Sequence, residues 1–157
     1  MRIGLISDTH DNMTAIKKAV KYFNEQNVDA VLHAGDFIAP FAADEFNKLN
    51  CYFIGVFGNN DGEVQGLTNT LKGRVYMPPK EIILGSKKII IVHDIKRLPK
   101  NIDADIVIYG HLHKQKIEKI GKTLYINPGE ACGWLTGTGT VAILDTETME
   151  VTEYELC

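Results

Sequence analysis

Apolar positions recur in two different rhythms along this chain, and the rhythm changes at a pair of prolines. RIGLIS (residues 2–7) is a short apolar run closed by polar residues. Met13, Ile16, Val20 and Phe23 follow at helical spacing, which predicts strand, loop, amphipathic helix. The unit then recurs. DAVLHAGD (29–36) predicts a buried strand leading to a helix that carries Phe41, Ala42, Phe46 and Leu49. CYFIGVFGNND (51–61) predicts a strand leading to a shorter helix with Val64, Leu67 and Leu71. Three strand–helix units in succession imply a parallel sheet built by right-handed crossovers.

Past MPPK (77–80), where the prolines stop any helix, the pattern becomes strands with tight connections: EIIL, KKIIIVH, DIVIYGH, KQKIEKI, TLYIN, TGTVAILD and EVTEYEL. The two halves together predict an α/β fold of two mixed β-sheets packed as a sandwich flanked by helices, with a single large mixed sheet as the alternative. No repeat beyond the strand–helix alternation and no low-complexity segment is present.

A length of 157 residues and 45% hydrophobic content fit a single domain over residues 1–157, without a linker. The formal net charge is −3, and the 17 lysines and arginines are scattered, so the basic footprint of a nucleic-acid binder is missing. No apolar stretch reaches the roughly 18 residues of a spanning helix, and the opening decapeptide is too soon interrupted by charge for a signal peptide. A cytoplasmic protein is expected. Cys51, Cys132 and Cys157 are odd in number and widely spaced, without a C-x-x-C pair, and read as reduced, mostly buried thiols. Self-association stays open, since no exposed apolar stripe announces it.

Polar residues of metal-ligating type stand at strand ends with a regularity that a solvated surface would not produce. RIGLIS delivers Asp8 and His10; AVLHAG delivers Asp36; YFIGVFG delivers Asn59; KKIIIV delivers His93; DIVIYG delivers His111 and His113. In open α/β sheets ligands bind beyond the carboxyl ends of the strands, so five strand ends can bring these seven side chains together. His33, the fifth histidine, lies inside a strand and reads as a hydrogen-bonded core residue. Each Asp taken singly is explained by a turn or a helix cap, but seven such coincidences are not. Seven donors exceed one tetrahedral zinc and suit two ions sharing a carboxylate. The thiolate-free Asp/Asn/His set suits two divalent ions, Mn²⁺ or Ni²⁺ first, with Fe²⁺, Zn²⁺ or Co²⁺ also compatible. Two ions, two aspartates and one hydroxide leave a positive pocket, for which a phosphate ester is the natural substrate.

DTH (8–10), GD (35–36), GNND (58–61), the lone His93 and GHLH (110–113) occur in an order that resembles the calcineurin-like metallophosphoesterase superfamily, and in size its minimal YfcE-type phosphodiesterase branch. NPGE (127–130) is similar to that branch's Asn-Pro-Gly turn, so the resemblance spans nearly the whole chain. It implies a four-layer αββα sandwich. It also implies one ion on Asp8, His10, Asp36 and His113 and the other on Asp36, Asn59, His93 and His111, with Asp36 bridging. The larger enzymes of the superfamily have a histidine where this chain has Asn60, and an acidic partner for it where this chain has Ala39. An asparagine donates a hydrogen bond but supplies no proton, a difference worth roughly 10²- to 10⁴-fold when the leaving group needs one.

These readings lead to a metal-dependent phosphodiesterase in which a bridging hydroxide attacks phosphorus in line, with no protein nucleophile, and Asn60 contacts substrate. The expected substrate is a small phosphodiester. A phosphomonoesterase or nucleotidase with the same site and a non-catalytic protein-binding scaffold of the same fold are the alternatives. A nuclease would want a basic groove that is absent. Asp61 reads as closing its turn or orienting a histidine, and GWLTGTGT (133–140) as tight turning rather than a phosphate loop.

Overall fold

The computed structural model describes residues 1–156; Cys157, read above as a reduced thiol, lies outside the described residues. β1 (Arg2–Ile6) leads into α1 (Met13–Glu25), which Asn12 caps by accepting a hydrogen bond from the Ala15 amide at 3.2 Å. The helix buries Ala15, Ile16, Ala19, Val20 and Phe23, the stripe set by its apolar spacing. β2 (Ala30–His33), α2 (Pro40–Ala43), β3 (Tyr52–Val56), α3 (Val64–Thr70) and β4 (Val75–Tyr76) complete the strand–helix half. The second half holds β5 (Lys80–Leu84), β6 (Lys87–Ile91), β7 (Ile106–Ile108), β8 (Gln115–Ile120), β9 (Thr123–Pro128), β10 (Thr140–Asp145) and β11 (Val151–Glu155).

Two mixed sheets result. One runs β11-β10-β1-β2-β3-β4, with β1 to β4 parallel, β10 antiparallel to β1 and β11 antiparallel to β10; the other runs β5-β6-β7-β9-β8, with β6, β7 and β9 parallel. Between them lies a dry layer of Ile3, Leu5, Leu32, Ile54, Ile89, Ile106 and their neighbours. On the outer face of the first sheet, Ile6, Val31 and Phe53 pack against α1, α2 and α3. Burying such side chains stabilises by roughly 1.5–3 kcal/mol each, which is why two-residue alternation in β1 (Ile3 and Leu5 inward, Ile6 outward) fixes its faces.

Three details differ from the sequence expectation. The helix predicted through Leu49 is a four-residue α turn followed by a 3₁₀ turn at Asp44–Lys48. Phe41 is 66% exposed, leaving a thin apolar stripe, and the Asn47–Asp44 and Lys48–Glu45 pairs favour the tighter turn, in which positions three apart eclipse. β4, two residues long, was too short for any periodicity to reveal. The outer face of the second sheet is covered by Ile95, Leu98, Ile102 and Ala104 in a loop holding only a 3₁₀ turn at Ile95–Arg97. Among the described residues no helix is long and apolar enough to cross a membrane.

Candidate metal centre

The carboxyl ends of β1, β2 and β3 in one sheet and of β6, β7 and β9 in the other meet at a single edge of the sandwich. Loops leaving them bring Asp8, His10, Asp36, Asn59, His93, His111 and His113 into one cluster. Five of the seven, Asp8, His10, Asp36, His111 and His113, have φ between +38° and +67°. A non-glycine residue in this region is uncommon, and such strain collects at functional sites. Gly58 belongs to the same arrangement: a Cβ there would collide with the Asp36 carboxylate.

One corner is formed by Asp8, His10 and His113. Asp8 is fully buried; its Oδ2 accepts from the Ser7 hydroxyl at 2.5 Å and the His111 amide at 3.1 Å. Its Oδ1 has no hydrogen-bond partner among the described residues and lies 3.5 Å from His113 Nε2. Burial raises the Asp8 pKa, and the Ser7 hydrogen bond offsets that only in part. His10 Nε2, also buried without a partner, lies 3.4 Å from Asp36 Oδ2. The other nitrogen of His113 is spoken for, since Nδ1 is 2.6 Å from Glu130 Oε2. Glu130 is itself 1% exposed and accepts further bonds from the Leu135 and Thr136 amides and the Thr136 hydroxyl. Burial pushes its pKa up, but the His113 and Thr136 bonds win and bring it down to about 2.

The second corner is Asp36, Asn59, His93 and His111. His93 Nδ1 lies 2.7 Å from the Ala34 carbonyl, an acceptor only, so this nitrogen carries the hydrogen. Its Nε2 lone pair then faces Asn59 Oδ1 at 2.8 Å and Asp36 Oδ2 at 3.4 Å, both of them acceptors. His111 Nδ1 is 3.0 Å from the same Asn59 oxygen. Asn60, expected to contact substrate, donates its backbone N–H to Asp36 Oδ1 at 2.9 Å and its side-chain amide to Oδ2 at 2.8 Å. Burial works to raise the Asp36 pKa, but the neighbouring His93 ring when charged and the two Asn60 hydrogen bonds hold it below the usual carboxylate range. Burial likewise opposes a charge on His93, and Asp36 outweighs it, so the His93 pKa is raised. Asp61 closes its turn: Oδ2 accepts from the Asp36 and Gly58 amides at 2.9 and 2.7 Å, and Oδ1 from Ile38 at 2.8 Å.

The donor set fits divalent ions. Asp8, His10 and His113, and likewise Asp8, Asp36 and His93, each offer ligand atoms within 4.8 Å of one another. Two buried atoms lack partners, and acceptor faces acceptor around Asn59, an arrangement that costs several kcal/mol per buried carboxylate unless a cation enters. Among the described residues no lysine or arginine pairs with Asp8, Asp36 or Glu130; their ionic neighbours are histidines. A third grouping, His113, Glu130 and Cys132, lies beside the first. There burial pushes the Cys132 thiol up to about 12, so it stands as a neutral donor to Glu130 at 3.2 Å.

His33 is the core histidine expected, fully buried, accepting from the Gly35 amide at 3.0 Å and stacked 3.7 Å from Phe37. Trp134, in the glycine-rich loop, is 64% exposed with its ring 6.5 Å from His10. Sequence reasoning missed Ser7 and Glu130. Glu130 lay in plain view inside NPGE, but nothing in the sequence says that this turn folds back onto His113.

A two-sheet sandwich with this donor set at one edge defines a metal-dependent phosphoric ester hydrolase of the calcineurin-like class. The chain belongs to the calcineurin-like phosphoesterase superfamily, whose domain matches residues 1–149. A phosphodiesterase of Methanocaldococcus jannaschii is 41% identical to it over 99% of both chains. The phosphodiesterase YfcE of Escherichia coli is 25% identical, with 82% of this chain and 78% of its own length covered. The solved structure of an archaeal phosphodiesterase superposes with a TM-score of 0.89 at 39% identity, covering 99% of each chain. The resemblance to the YfcE-type branch, read from five short motifs, is thereby borne out.

Proposed function

We propose that the protein is a phosphodiesterase holding two divalent ions, one on Asp8, His10, Asp36 and His113, the other on Asp36, Asn59, His93 and His111. The observation that carries this reading is the pair of buried, partnerless atoms, Asp8 Oδ1 and His10 Nε2, aimed into the cluster. Mn²⁺ and Ni²⁺ suit the donors best. When bound, such ions supply Lewis acidity and lower the pKa of water toward about 7. The chain's own residues do the rest. Glu130 and the Ala34 carbonyl hold His113 and His93 with Nδ1 protonated, leaving each Nε2 lone pair aimed inward. Asn60 spends one amide hydrogen on Asp36 and has a second for a phosphoryl oxygen. Asp61 does not stand ready as a proton donor, because both its oxygens are taken by backbone amides. Diesters with stable leaving groups are therefore preferred to alkyl monoesters. We take its setting to be the cytoplasm, in keeping with free thiols at Cys51 and Cys132.

Metal-stripped protein given Mn²⁺, Ni²⁺, Zn²⁺ or Mg²⁺ should cleave bis(p-nitrophenyl) phosphate faster than p-nitrophenyl phosphate, and Asp36→Ala should abolish it. No turnover with any ion would overturn the hydrolase, and faster monoester cleavage would overturn the diester preference.

A further inference from the structure

A cleft of about 490 Å³ adjoins the second corner: Asn59, His93 and His111 are among the residues lining it, whereas Asp8, His10, Asp36 and His113 are not. This is the size of a site for a small organic ligand. Phe57, Met77, Pro78 and Pro79 give the lining an apolar part, with Met77 68% exposed. Arg97 and Asp94 complete the lining from the loop that follows β6.

Arg97 differs from the other two arginines of the chain. The Arg2 guanidinium donates to the backbone and side chain of Gln26, and Arg74 to the Leu71 carbonyl and Asn47. The Arg97 guanidinium has no hydrogen bond or ion pair among the described residues, yet its backbone is fixed. Its amide donates to the Asp94 carbonyl at 3.0 Å, and the Asp94 carboxylate caps the same turn by accepting from the Lys96 amide at 3.0 Å. This turn begins two residues after His93, so the backbone that carries the exposed Arg97 side chain is anchored close to the cluster in sequence. An unpaired fork of N–H donors in the same lining as apolar side chains matches an apolar group that bears an oxyanion.

Building on the phosphodiesterase reading, we propose that this cleft receives one ester substituent of the substrate and that Arg97 selects substituents carrying a negative charge of their own, a carboxylate or a second phosphate. Entry is then directional: the scissile phosphate lies at the Asn59–His93–His111 end and its apolar, anionic substituent points toward Arg97.

The test compares 4-nitrophenyl phenyl phosphate with 4-nitrophenyl 4-carboxyphenyl phosphate, using protein loaded with the ion that supports turnover. The wild type should favour the carboxylated diester in kcat/KM. Arg97→Met should cut that preference about tenfold, as expected for loss of a charge-assisted hydrogen bond, while Lys96→Met, one residue away and outside the lining, should retain it. A preference unchanged in Arg97→Met overturns the proposal. So does an equal loss on both substrates, which would assign Arg97 to the scissile phosphate itself. Failure of the wild type to cleave either diester with any ion would instead sink the hydrolase reading on which the proposal stands.

Discussion

Glu130 Oε2 lies 2.6 Å from His113 Nδ1, and the bond fixes which nitrogen of that histidine faces Asp8. The carboxylate can do this because burial is outweighed by five hydrogen-bond donors gathered from three neighbouring residues and His113. Glu130→Gln keeps the shape but turns one acceptor into a donor. Affinity for the ion at the Asp8 corner should fall about 10- to 100-fold, read by calorimetric titration, with the far-UV circular dichroism unchanged. Undiminished affinity would show that His113 is held by packing alone.

Removing metal should lower thermal stability. An ion present at about 100 times its Kd stabilises the folded state by roughly 2.7 kcal/mol, which for a chain of this size corresponds to about 5–10 °C in Tm. Differential scanning fluorimetry with and without chelator measures it. A Tm indifferent to every divalent ion would count against the centre.

Asp61→Asn tests the tie between the β2 and β3 loops. The carboxylate serves three backbone amides, and the asparagine has a single acceptor oxygen for them. A loss of about 2 kcal/mol or more in urea unfolding is expected, since buried amides are left unpaired. If stability were intact and only turnover fell, Asp61 would be the proton donor that its hydrogen bonds argue against.

Asn60→Ala removes one amide bond to Asp36 and the spare N–H. Turnover of aryl diesters should fall about tenfold, with the effect in kcat rather than KM. Full activity would leave Asn60 with a purely structural part.

Much of this was legible beforehand. The seven side chains that the fold gathers into one cluster stood out because each followed an apolar run, and a run of that kind ends where a strand does. What could not be read was contact between distant loops. Ser7 looks like any strand-terminal serine, and Glu130 like any turn residue, until the register of β9 beside β7 sets it against His113. The helix expected through Leu49 failed for the opposite reason: three-apart polar pairs competed with an apolar stripe that Phe41 did not join.

The left-handed backbone at five of the seven donor positions bears on when the centre can exist. An unfolded chain rarely visits those angles, and the donors are divided between loops of two sheets joined by the segment around Pro78 and Pro79. No fragment of the chain presents the whole set. Occupancy of the proposed centre would thus be a clasp across the sandwich, closed only by a molecule whose two halves have already met, so a loaded protein would by that fact be a fully assembled one.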